Sequence, residues 1–125
     1  MLRSRLSIGA LAFGLMLGQH MPAHAIDPAY QPQMERLAEI MGALYHLDDL
    51  CLRSGVDWRL QLAELMDLDE VDDDRRERLA GAFNANYADF QQTHSRCTDS
   101  AALLTSRFLE EGAKISYDIH IRYAE

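Results

Sequence analysis

The sequence predicts an all-α fold, a small helical bundle of about four helices that follows a cleaved signal peptide. Three observations carry this. Apolar residues recur at alternating steps of three and four through most of the chain beyond residue 30. Residues that cap or stop helices stand between these stripes. No sustained period-2 run, hairpin dipeptide or internal repeat interrupts the pattern.

The N-terminus is of a different kind. Arg3 and Arg5 precede an apolar run from Leu6 to Leu17, and a short polar stretch then ends in Ala23-His24-Ala25. A basic start, an apolar segment of about a dozen residues and small residues two apart make a secretory signal peptide, since a membrane span needs roughly 20 apolar residues. The expected cut is before Ile26, which makes residues 1–25 the signal peptide and residues 26–125 a single domain. The mature protein is then expected in the periplasm, with no membrane insertion after cleavage.

The chain carries 12 basic and 20 acidic side chains, and removing Arg3 and Arg5 takes its formal charge from −8 to −10. Such a surface repels nucleic-acid phosphates and anionic lipid headgroups, so neither is an expected partner. A mature domain of this size has a marginal hydrophobic core, and an added constraint would help it.

Pro28 and Pro32 keep the first residues extended. Leu37, Ile40, Leu44, Leu47 and Cys51 then mark a first amphipathic helix of about 20 residues, which Ser54-Gly55 ends. Asp57 is placed to cap a second helix from about Trp58 to Leu68, with Trp58, Leu62, Leu65 and Met66 inward and Arg59 and Glu64 toward solvent. The acidic run from Asp67 to Asp74 leads into Arg75, Arg76 and Arg78. That order suits the dipole of a third helix and predicts the pairs Asp72–Arg76 and Asp74–Arg78. Leu79, Phe83, Tyr87, Phe90, His94 and Cys97 form its predicted inner face. Thr98, Asp99 and Ser100 mark a break before a fourth helix from about Ala101 to Tyr123, whose stripe is Leu104, Phe108, Ile115 and Ile119. Gly112 within that stripe predicts a close helix approach.

Cys51 and Cys97 each continue an apolar stripe and are expected to face inward. An even number of cysteines in an exported chain predicts one disulfide, clamping the ends of the first and third helices side by side. A Cys2His2 metal site with His46 and His94 is disfavoured, because positions 46 and 51 lie about 140° apart on a helix. The acidic run is no calcium loop either: Val71, Asp72 and Arg78 stand where a ligand, a glycine and a glutamate are required. No cofactor, metal or catalytic residue is therefore expected, and the chain reads more as a binder than as an enzyme.

The candidate binding surface is Trp58, Arg59, Asn84, Tyr87 and His94. Trp and Arg dominate binding hot spots, and Asn84 and Asn86 cost helix propensity inside an otherwise good helix. The first expectation for function is a non-catalytic periplasmic accessory protein that acts through a helical surface on another envelope protein. The alternative is a small enzyme or ligand carrier with a pocket between helices near His94, Tyr87 and Asn84.

The run Leu37-Ala38-Glu39-Ile40-Met41-Gly42-Ala43-Leu44 is joined by Cys51, Trp58-Arg59, Phe83-Asn84 with Tyr87, Cys97 and Glu111-Gly112-Ala113-Lys114. Together they resemble an uncharacterised alphaproteobacterial family of small exported proteins with two well-separated cysteines. The resemblance implies a Cys51–Cys97 bond and supplies no activity.

Overall fold

The computed structural model describes residues 26–124, together with Gly18. Apart from Gly18, the predicted signal peptide of residues 1–25 lies outside the described residues, and so does the cut before Ile26. The rest is all-α, with no strand among the described residues: α1 (Gln31–Leu47), α2 (Trp58–Leu68), α3 (Asp73–Thr93) and α4 (Asp99–Tyr123).

The four helices do not contribute equally. α1 is the hub, against which α2, α3 and α4 each pack, while the outer helices make little contact with one another. Its sequence allows this. Leu37, Ala38, Ile40, Met41, Gly42, Ala43 and Leu44 are all buried, so the helix is apolar nearly all round rather than along the single predicted stripe. Gly42 sets the seam with α3, because a Cβ there would stand 2.1 Å from the Phe83 carbonyl oxygen. At Gly112 of α4 the expected close approach is present but looser, with Ile40 Cγ2 at 3.4 Å from a built Cβ. On the far edge of α4, Arg36 grips Glu111 with two parallel hydrogen bonds of 2.8 and 3.0 Å. The Arg36 guanidinium holds the Glu111 carboxyl below its ordinary range.

Local chemistry explains the boundaries. Asp57, Asp72 and Thr98 are the N-caps of α2, α3 and α4, and their side chains accept from the amides of Leu60, Arg75 and Ala101. Because Asp72 caps, it does not pair with Arg76, which instead reaches Asp67 at 2.9 Å; the Asp74–Arg78 pair forms as predicted. The end of α1 also differs from expectation. The helix widens into a π turn over Asp48–Leu52, and Arg53, not Gly55, takes the left-handed capping conformation with φ 52°. Gly55 follows with φ 81° in the loop.

α3 stops earlier than its apolar period suggests. The Thr93 hydroxyl turns back to the Asp89 carbonyl and His94 is extended, so residues 94–98 leave the helix axis. Cys97 is consequently exposed and Cys51 half-buried, not both inward. They are bonded to each other across a Cα–Cα distance of 5.1 Å, joining the π turn after α1 to the linker that leads into α4. The bond does not lock two packed helix ends.

Candidate functional site

The segment after α1 is organised by a carboxylate. Asp48 is almost wholly buried, and it accepts from the Ser54 amide at 3.0 Å, from the Ser54 hydroxyl and from the Trp58 indole Nε1 at 2.8 Å. Burial alone would raise its pKa, yet the Ser54 and Trp58 donors hold the carboxyl below its ordinary value. Residues 53–57 thus fold over Asp48, and Trp58 is fixed at the start of α2.

Arg59 is the next residue, and it does not simply point to solvent. Its guanidinium lies over the rings of Phe83 and Tyr45 at 4.7 and 5.1 Å, and Nη1 donates to Asn84 Oδ1 at 3.2 Å. The Tyr45 ring meets Tyr87 edge-on at 5.1 Å. Trp58, Arg59, Asn84 and Tyr87 therefore gather where α2 and α3 flank the end of α1. His94 stands apart: its ring stacks on Phe90 at 5.4 Å, and its carbonyl accepts from His46 Nε2. Because α3 ends before it, His94 is not on the helix face assigned to it. Neither His94 nor Asn84 lines the cleft that holds Tyr87.

In that cleft, Tyr45, His46, Trp58 and Tyr87 line an open space of about 430 Å³, roofed by the loop from Arg53 to Asp57. His46, without an obvious partner in the sequence, is the histidine of this cleft. Neither sulfur is free, since both belong to the disulfide. Among the described residues no three His, Cys, Asp or Glu side chains are grouped to hold a metal ion.

The larger feature lies on the other side of Trp58. α2 and α4 flank α1 without closing on each other, and three adjoining depressions of about 360, 200 and 310 Å³ run between them. Leu37, Ile40, Met41 and Leu44 of α1 form the floor. One wall is Gln61, Glu64, Leu65 and Leu68 of α2; the other is Phe108, Gly112, Ser116 and Ile119 of α4. Trp58 closes one end, and Tyr30 and Tyr123, with rings 5.1 Å apart, stand at the other. Leu68 is 84% exposed on the rim.

Tyr30 is tied down by a second buried polar group. Arg75 reaches Gln31 Oε1 at 2.7 Å and Asp69 Oδ2 at 2.6 Å, while the Tyr30 hydroxyl donates to Asp69 Oδ1. The hydrogen bond to Asp69 raises the Tyr30 pKa. Neither this network nor the Asp48 network has a local sequence signal, because its partners come from different elements.

A family model described as "Protein of unknown function (DUF2385)" matches residues 29–123. The chain belongs to that family. The match spans all four helices, both cysteines and the groove from Tyr30 to Tyr123, so these features lie within the DUF2385 region. No curated protein and no solved structure matches the chain. Among the described residues, no helix of this DUF2385 member is long and apolar enough to cross a membrane.

Proposed function

We propose that this chain is a non-catalytic accessory protein of the bacterial cell envelope, exported with cleavage before Ile26, and that it works through a helical surface on another envelope protein. The groove between α2 and α4 carries the reading. An apolar depression between two helices, with the exposed Leu68 at its rim, is the surface type that receives a partner segment. Trp58 belongs to this surface, at the groove's end, whereas Arg59 and Asn84 do not line it.

The test is a photo-reactive residue at Leu68, compared with one at Glu77 on the outer face of α3, in the intact envelope. A discrete adduct from position 68 and none from position 77 supports the proposal. Equal adducts, or none from position 68, sink it. The export part is checked separately by N-terminal sequencing of the purified protein, where a first residue other than Ile26 contradicts the assignment.

The aromatic cleft favours a second reading, that of a small ligand carrier or enzyme using Tyr87 with His46 and Trp58 rather than with His94 and Asn84. Clefts of several hundred Å³ with a few polar groups are ordinary ligand sites. A small-molecule fragment screen by NMR would support it through hits that shift the Tyr87 and Trp58 resonances together. Hits confined to the groove would count against it.

A further inference from the structure

The groove's chemistry says more about its occupant, given the function proposed above. We infer that it receives one amphipathic α-helix of about 14 residues whose polar edge is cationic. From Tyr30 at one end to Leu44 on the floor, the groove spans 14 residue steps, which at about 1.5 Å per residue is roughly 20 Å, or about four helical turns.

The occupant has to be a helix because of backbone hydrogen bonding. Floor and walls are α-helices whose own amides and carbonyls are paired, and no strand edge exists among the described residues. An extended segment laid in the groove would bury donors and acceptors with nothing to bond to. A helix satisfies its backbone internally and offers apolar side chains at steps of three and four. The walls repeat at the same spacing: Gln61, Leu65 and Leu68 on α2, and Gly112, Ser116 and Ile119 on α4. Ser116 is small, which leaves room for the partner's larger residues.

Charge selects among helices. No lysine or arginine lines the groove, and Glu64 on the α2 wall forms no ion pair among the described residues. Asp69, the other carboxylate there, is already neutralised by Arg75. A mature charge of −10 disfavours a second copy of the same chain in this position. A lysine or arginine on the partner, facing Glu64, is the complementary choice.

Two synthetic 18-residue peptides test this with the purified, disulfide-bonded protein. Both carry leucine at helical spacing, one with lysine and the other with glutamate at every polar position. Trp58 is the only tryptophan in the chain and lines the groove, so its fluorescence reports occupancy. The lysine peptide is expected to bind saturably with a change in Trp58 emission, at least tenfold tighter than the glutamate peptide. Glu64→Lys should weaken it fivefold or more, whereas Glu77→Lys, the same charge change on α3, should alter it less than twofold. Ser116→Phe should abolish binding with helical circular dichroism retained. Equal losses from Glu64→Lys and Glu77→Lys would reduce the effect to net charge and overturn the inference. So would equal binding of both peptides, or saturable binding of neutral phosphatidylcholine vesicles in their place. If neither peptide binds while the Leu68 cross-link persists, the helical cationic partner is wrong and the proposed function stands; loss of that cross-link removes the function itself.

Discussion

Asp48 shows how one side chain can shape a site at a distance. Its carboxylate satisfies three donors from residues 54 and 58, so Asp48→Ala would leave the Ser54 amide and the Trp58 indole without their partner. We expect a loss of about 3 kcal/mol in urea unfolding, with the Trp58 emission of the folded state shifted toward the red. The pH dependence follows from the direction of its pKa. A carboxyl lowered by folding contributes stability above its unfolded pKa of about 4 and loses that contribution as pH falls through the lower folded value. Stability measured from pH 6 down to pH 2 should therefore fall more steeply in the wild type than in Asp48→Asn. Part of the slope should remain in the variant, because Glu111 and Asp27 are also lowered by their arginine partners. An equal slope in both proteins would contradict the burial and hydrogen bonding assigned to Asp48.

Two glycines separate a tight helix seam from a loose one. At Gly42 an added methyl would collide with the Phe83 backbone at 2.1 Å, and backbone cannot rotate away. Gly42→Ala should destabilise the fold by about 3 kcal/mol, despite alanine's better helix propensity. At Gly112 the neighbours are the side-chain ends of Ile40 and Leu37 at 3.4 and 3.7 Å. Gly112→Ala should stay within about 1 kcal/mol of wild type, because the propensity gain offsets the contact. Thermal melts of the two variants check the contrast, and similar losses at both positions would contradict the geometry. Arg75 fastens the start of α1 to the α2–α3 turn through Gln31 and Asp69. Replacing it with alanine should cost about 3 kcal/mol, because Asp69 would stay half-buried without its cation.

For the whole molecule, the decisive constraint is the Cys51–Cys97 bond, with a sequence separation of 46 residues. Loop closure of that length stabilises by about 4 kcal/mol in the chain-entropy model, against a total of about 5–15 kcal/mol for an ordinary domain. Cys97 is exposed, so Cys97→Ser should lose the cross-link alone and bury no new hydroxyl. Intact-mass measurement under denaturing conditions should show no alkylation before reduction and two alkyl groups after it. Two groups without reductant would mean free thiols.

Much of the fold was legible in the residues. Helix spacing and cap chemistry located α2 and α4 to within two residues, because these signals are local and lie in consecutive side chains. The same local reasoning overran α3 to Cys97, since an apolar period says nothing about the extended backbone at His94 that ends the helix. Trp58, Arg59, Asn84 and Tyr87 were recognisable by residue type, yet their contacts were not. Arg59 needed rings from α1 and α3, and His94 needed a helix that had already ended.

The sequence by itself determined the all-α class, the order of the helices and the even pair of cysteines, because propensity, periodicity and parity are properties of the chain alone. Only the tertiary structure decided that α1 is a hub and that Asp48 and Arg75 are buried among partners from other elements. It also decided that α2 and α4 stand apart and leave a groove. Those outcomes depend on how three apolar faces share one helix, and a pattern of three and four cannot specify which neighbours meet and which do not.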